Sequence, residues 1–122
     1  TWVAVGAVRA ALVDAMGGLV RDAVIVGENE AQLGALLLLS DKAQALPEGE
    51  RIRALTDALV AASKAATGSA SRVKRAVILP RAPSFELGEV TEKGSLNQRA
   101  MRSNHEDLTA RLYAGGADII TI

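Results

Sequence analysis

The sequence predicts an α+β fold in which helices pack on a small sheet. Short segments rich in β-branched or continuous apolar residues indicate strands, and segments with apolar residues at helical spacing flank them. The resulting order is helix, strand, strand, helix, strand, loop, helix. Few strands with helices on one side are typical of an α+β sandwich. With 122 residues, the chain has the length of one domain and can bury its own core.

The first half of the chain supplies two helices and two strands. Apolar residues at helical spacing predict a helix over residues 5–16, which a pair of glycines ends. Residues 20–27 and 33–40 predict an antiparallel hairpin, and the apolar run of the second strand indicates burial on both faces. Residues 41–50 are predicted to form a polar loop, and residues 52–66 a second helix.

The next part of the chain contains a strand, a long loop and an apolar tail. Residues 73–79 predict a third strand, which prolines close. Residues 81–94 have turn chemistry without clear periodicity, so we expect an exposed, irregular loop with a short hairpin near residues 87–90. The β-branched tail, residues 119–122, predicts an edge strand or a contact with a partner.

A last helix is predicted to begin at Ser95. Ser95 and Gln98 have the spacing of a capping box, in which each side chain satisfies the other residue's backbone N–H. Ser103 and Glu106 repeat this spacing, so we expect the helix to break in the middle.

Composition excludes several classes of function. The 14 basic and 14 acidic side chains balance, and the chain has only three aromatic residues, which argues against a nucleic-acid or anionic-lipid partner. The absence of cysteine excludes disulfides and thiolate chemistry and fits a cytoplasmic location. No apolar run approaches the roughly 20 residues of a membrane helix, and no signal peptide is evident. The abrupt start at Thr1 predicts a fragment or a trimmed chain.

The titratable residues do not assemble a complete active site by sequence spacing, and no metal site is predicted. The single histidine, His105, lies in a charged helical segment and is predicted to be solvated. Asp22, Glu28 and Glu30 lie near turns, where surface solubility is the expected role.

Lys93 is the residue whose context suggests chemistry. It lies beside a glycine, on a loop just before the predicted last helix. Its ammonium is a compact charge on a flexible stem, so it could be delivered into a site on another domain and neutralise an α-phosphate and a carboxylate together. The alternative is an ordinary exposed lysine before a helix cap.

Four segments resemble feruloyl-CoA synthetases, in the same order along the chain. GEVTEKGSLNQRA, residues 88–100, resembles their C-terminal stretch. TWVAVGAVRAAL, at the start, resembles the segment just after their interdomain hinge, and LVRDAVIVGENEAQLGALLL resembles their next two strands. Residues 111–114 are similar to their terminal helix. The resemblance covers nearly the whole chain.

This resemblance implies a role in the adenylate-forming superfamily. Residues 1–122 would form one mobile C-terminal domain of an acid–CoA ligase, without the hinge and the large N-terminal adenylation domain, which would be its partner. The large domain would bind ATP and a carboxylic acid, for which the resemblance implies the aromatic class, and the small domain would close over it in two orientations. ATP, Mg²⁺ and CoA would belong to the full enzyme. The isolated chain would bind no cofactor and would be inactive.

The resemblance also implies site residues. Lys93 matches the catalytic lysine of acyl-AMP formation. The wider superfamily usually has a glycine immediately before that lysine, whereas here Lys93 precedes Gly94, and aligning the glycines would place Ser95 at the lysine position.

A second group of residues would face CoA in the thioester-forming orientation. Trp2 and Gly6 lie in the segment after the hinge, where Trp2 would line the pantetheine tunnel or, alternatively, pack in the core or at the domain edge. Arg72, Lys74 and Arg75 form a local basic group that would contact the CoA phosphates or, alternatively, belong to a solvated strand edge. The rival interpretation is a free-standing protein-binding module that docks through its apolar tail and the Lys93 loop.

Overall fold

The computed structural model describes residues 5–27, 30–66 and 72–122. The order of helices and strands follows the prediction, with one additional single-turn helix after the second strand. The elements are α1 (Val5–Ala15), β1 (Val20–Val26), β2 (Leu33–Leu39), α2 (Asp41–Gln44), α3 (Glu48–Ala65), β3 (Val73–Ile78), α4 (Gln98–Asn104), α5 (Glu106–Ala114) and β4 (Ile120–Thr121).

The described strands form one mixed sheet in the order β1-β2-β3-β4. β1 and β2 pair antiparallel, which confirms the predicted hairpin. β2 and β3 pair parallel, because α3 carries the chain back to the other end of the sheet between them. The apolar tail forms the edge strand β4 against β3, which confirms that part of the prediction.

Helices cover both faces of the sheet, whereas the sequence predicted helices on one side. Ile25 packs in a cluster with residues of α1 and α3, and its neighbour Val24 packs in a second cluster with Met101 of α4 and Leu112 of α5. Adjacent residues of a strand point to opposite faces, and β1 and β2 are apolar at successive positions. Both faces of the sheet must therefore be shielded from water. The helices α1 and α3 cover one face, and α4 and α5 cover the other.

The predicted polar loop 41–50 is largely helical. Ser40 caps α2 by accepting a hydrogen bond from the backbone N–H of Ala43 at 3.3 Å. α3 then begins at Glu48, directly after Pro47, rather than at Ile52. Proline before the first turn and acidic residues within it stabilise a helix start without any apolar periodicity, which is why the pattern placed this start too late.

The predicted start of the last helix is wrong by three residues. Asn97 caps α4 by accepting from the N–H of Ala100 at 3.1 Å, and Ser95 lies before the helix. The predicted break is confirmed at His105, between α4 and α5. The second capping box does not form, because His105 occupies the cap position and makes no side-chain capping bond.

Candidate functional site: the Lys93 hairpin

Lys93 lies at the tip of a short hairpin, residues 90–96, which we call the Lys93 hairpin. Val90 pairs antiparallel with Leu96, and the N–H of Thr91 donates to the carbonyl of Ser95 at 2.8 Å. The N–H of Gly94 donates to the carbonyl of Thr91 at 2.9 Å. The sequence placed a short hairpin near residues 87–90; the structure forms it a few residues later.

The order Lys93–Gly94 follows from the geometry of this turn. Gly94 has a φ of +84°, in the left-handed region that favours glycine. A tight turn followed by one left-handed residue is a common way to close a three-residue hairpin. The turn therefore requires glycine after Lys93 and leaves the Lys93 side chain exposed. Ser95 is held differently, since its hydroxyl lies 2.9 Å from the hydroxyl of Thr91.

A buried carboxylate, Glu89, lies directly before the hairpin. It is completely inaccessible to solvent. The two terminal guanidinium nitrogens of Arg81 donate to its two oxygens at 2.7 and 2.8 Å, the N–H of Ser84 donates at 2.8 Å, and the side-chain amide of Asn104 donates at 3.0 Å. Chiefly because of the Arg81 bonds, the pKa of Glu89 falls to about 2, so it is an anion at neutral pH.

His105 is buried beside this carboxylate, so the prediction of a solvated histidine is wrong. Its Nε2 lies 3.8 Å from an oxygen of Glu89. Burial lowers its pKa, and the positive charge of Arg81 lowers it further, against the opposing effect of Glu89. The sequence pattern failed here because the neighbouring carboxylate, Glu89, lies 16 positions earlier in the chain, where no local periodicity relates it to His105.

Asp22 is also buried, which contradicts its predicted role in surface solubility. It accepts hydrogen bonds from the guanidinium of Arg9 on α1 and, at 3.2 Å, from the N–H of Leu96 in the hairpin. Two residues further on, the side-chain amide of Gln98 donates to the carbonyl of Ala23 at 2.9 Å. These contacts fasten the second strand of the hairpin to β1, the edge strand of the sheet.

The sequence analysis also named Glu30 and Glu28, of which the structure describes only Glu30. Glu30 is exposed, as predicted for a surface role. Glu28 lies outside the described residues.

The hairpin borders an open groove of about 570 Å³ at the carboxyl ends of β2 and β3. Arg21, Arg51 and Arg81 line it together with apolar residues of the strand ends. Arg51 donates to three backbone carbonyls after β2, and Arg81 is bonded to Glu89. Two of the three guanidinium groups therefore have structural partners.

The predicted CoA-side residues lie far from Lys93. Arg72 and Lys74 are partly exposed at the amino end of β3. Arg75 donates to the carbonyl of Leu112 at 3.3 Å, and its guanidinium lies 5.4 Å from the ring centre of Tyr113, so it supports the end of α5. Lys93 lies toward the opposite end of the strand. Gly94 lines the groove at the carboxyl end of β3, so roughly the length of that six-residue strand, about 17 Å, separates Lys93 from the basic group.

The remaining predicted contacts belong to the beginning of the chain. Gly6 lies in the first turn of α1, where it is exposed and no atom occupies the space that a Cβ would take. Trp2 lies outside the described residues.

The described residues do not form a metal site or a membrane span. Among residues 5–27, 30–66 and 72–122, no three His, Cys, Asp or Glu side chains are grouped so as to hold a metal ion. No helix in these ranges is long and apolar enough to cross a membrane.

Comparison with known proteins gives one family match and several structural matches. The sequence profile described as "AMP-binding enzyme C-terminal domain" matches residues 8–117. No curated protein sequence matches the chain.

Two of the similar solved structures are an adenylation domain and an A-PCP didomain of carboxylic acid reductases. The adenylation domain from Mycobacterium chelonae superposes with a TM-score of 0.75 at 20% sequence identity, over 93% of this chain and 18% of that one. The didomain from Segniliparus rugosus, solved with AMP, gives a TM-score of 0.73 at 21% identity, over 92% of this chain and 16% of that one. Their similarity shows the fold, and this chain spans less than a fifth of their length.

Proposed function

Since this chain belongs to the AMP-binding enzyme C-terminal domain family of the adenylate-forming superfamily, we propose that it is the mobile lid domain of a larger ATP-dependent acid–CoA ligase. The large N-terminal domain of that ligase is the proposed partner and holds ATP and the acid. The resemblance of residues 88–100 to feruloyl-CoA synthetases favours an aromatic acid as substrate. Mg²⁺ would bind outside the described residues, which offer no cluster of acidic ligands.

The observation that carries this proposal is an exposed lysine on a firmly held hairpin. In acyl-AMP formation, a carboxylate oxygen of the acid attacks the α-phosphorus of ATP, and pyrophosphate leaves. Two negative groups approach each other in this step, so a cation between them lowers the barrier. The exposed ammonium of Lys93 suits this role, whereas the hydroxyl of Ser95 carries no charge and contacts Thr91.

The separation between Lys93 and the basic group supports two working orientations. If Arg72 and Lys74 contact the phosphates of CoA, the domain must turn between acyl-AMP formation and thioester formation. A different end of the sheet would then face the large domain in each of the two steps. Arg75 would contribute less to CoA binding, because its guanidinium already supports α5.

Lys93→Ala in the full-length protein tests the proposal. We expect acid-dependent exchange of pyrophosphate into ATP to slow by at least about a hundredfold, because one preorganised charge at a transition state contributes on the order of 3 kcal/mol. Thioester formation from supplied acyl-AMP and CoA should change much less. Lys64→Ala, an exposed lysine of α3, is the matched control and should leave both steps unchanged. Undiminished exchange in Lys93→Ala would refute the assignment.

A second candidate function is a free-standing protein-binding module. It is favoured by Phe85 and Leu87, which are 73% and 57% exposed on the loop before the Lys93 hairpin. Under the ligase proposal, the same two side chains would face the large domain. An open reading frame that continues upstream of Thr1 for several hundred residues would favour the ligase, and a start codon just before Thr1 would favour the module.

A further inference from the structure

We infer that Glu89 is a positioning residue for Lys93, which fixes the base of the Lys93 hairpin and so sets where the ammonium is delivered. The inference rests on the proposed function. It starts from an unusual placement: a carboxylate with no solvent exposure lies one residue before an exposed hairpin.

Glu89 joins three segments of the chain at the base of the hairpin. Arg81 and the backbone of Ser84 reach its carboxylate from the preceding loop, and Asn104 reaches it from the end of α4. Its backbone carbonyl also accepts the N–H of Asn97 at 2.8 Å. Residues 89 and 97 flank the hairpin, so this bond closes the base on which the Lys93 turn stands.

The chemistry of the cluster requires an anion rather than a neutral acceptor. Four donors converge on the two carboxylate oxygens, and Arg81 supplies two of them. The other titratable group near these oxygens is His105, at 3.8 Å. A glutamine would fill the same space, but its NH₂ group would face donors and the Arg81 charge would lose its counterion. Glu89→Gln should therefore loosen the base while leaving the volume of the core unchanged.

A small change at the base becomes a larger change at the tip. The Lys93 turn stands about 10 Å from residue 89, given roughly 3.3 Å for each extended residue. A misplacement of about 1 Å in a reacting group can cost a hundredfold in rate. Because Glu89 is buried, it would act through the position of Lys93 and would not touch the substrate.

Two variants and their combination in the full-length protein test the inference. Glu89→Gln should lower the kcat of acyl-AMP formation by about tenfold or more, while the KM values for ATP and the acid change less than about twofold and thioester formation from supplied acyl-AMP is retained. The double variant Glu89→Gln/Lys93→Ala should be no slower than Lys93→Ala alone, since Glu89 acts only through Lys93. Glu86→Gln, an exposed acid on the same loop, is the matched control.

The outcomes separate this inference from the proposed function. Unchanged acyl-AMP formation in Lys93→Ala would overturn both. A slow Lys93→Ala with a normal Glu89→Gln would overturn only the positioning role, as would equal losses in both half-reactions or a further tenfold loss in the double variant. If Glu89→Gln folds poorly, Asn104→Ala replaces it in the test, because this variant removes one donor to Glu89 and keeps the Arg81 pair. Asn104→Ala should show a weaker form of the same selective loss.

Discussion

The surroundings of His105 favour the neutral form of its imidazole. The imidazole lies at the junction of α4 and α5, and both its burial and the charge of Arg81 lower its pKa, although Glu89 opposes them. The folded chain therefore takes up this proton at lower pH than the unfolded chain does. Proton binding is consequently coupled to the stability of the junction.

This coupling predicts how stability depends on pH. Below the ordinary histidine pKa of about 6.5, the unfolded chain binds the proton first, so stability should fall until the pH passes the lower pKa of folded His105. His105→Gln should flatten this slope, because the chain has one histidine. The Glu89 pair should be lost separately, as pH falls from about 4.5 toward about 2. Urea unfolding followed by circular dichroism from about pH 8 to about pH 2 measures both parts. An unchanged slope near pH 6 in His105→Gln would contradict the first.

The Lys93 hairpin is an element whose shape depends on one backbone conformation. Gly94 has a positive φ, and no atom beyond its two neighbours in the chain lies within 4 Å of the position that a Cβ would occupy there. Any cost of adding a methyl group is therefore conformational and does not come from a clash. The hairpin is held at its base by Glu89 and along its second strand by Asp22, so strain at the turn should stay local.

Gly94→Ala should accordingly destabilise the fold by about 1 to 2 kcal/mol, the cost of the left-handed conformation for a residue with a Cβ. Gly49→Ala makes the same chemical change within α3, also in open space, and should be neutral or stabilising by up to about 1 kcal/mol. Denaturant unfolding of the two variants gives the comparison. Equal effects of the same sign would show that the turn does not require glycine.

The elements that sequence predicted well are those with a strong local signal. β1 and β2 match the predicted residues 20–27 and 33–40 closely. Strands buried on both faces need continuous apolar runs, and such runs are visible in the local sequence. The contacts that hold the Lys93 hairpin were not predictable in this way. The bond from Leu96 to Asp22 joins residues 74 positions apart, and no local pattern marks either of them as buried. The placement of α4 and α5 on the second face of the sheet depends on similar long-range packing.

At the scale of the whole molecule, the two ends of the sheet carry different side chains. Well-packed apolar clusters on both faces keep its strands and helices in fixed relation, as dense packing does in protein interiors. The Lys93 hairpin stands toward the carboxyl end of β3, and Arg72 and Lys74 lie at its amino end. A domain packed in this way can present the two ends of its sheet to one partner site only one after the other. The proposed alternation between two half-reactions requires this.

A variant at the amino end of β3 should therefore show the reverse of the Lys93 result. In the full-length protein, Arg72→Ala/Lys74→Ala should raise the KM for CoA in thioester formation by roughly tenfold, since each lost phosphate contact of this kind contributes about 1 kcal/mol or less when partly exposed. Acyl-AMP formation should stay within about twofold of the original rate, because under the proposed alternation this end would then face away from the acid and ATP. Arg75→Ala is a useful contrast, since loss of its bond to Leu112 should lower thermal stability. If Arg72→Ala/Lys74→Ala slowed acyl-AMP formation as much as thioester formation, the two ends of the sheet would not act in separate steps, and the basic group would instead be a solvated strand edge or a general docking surface.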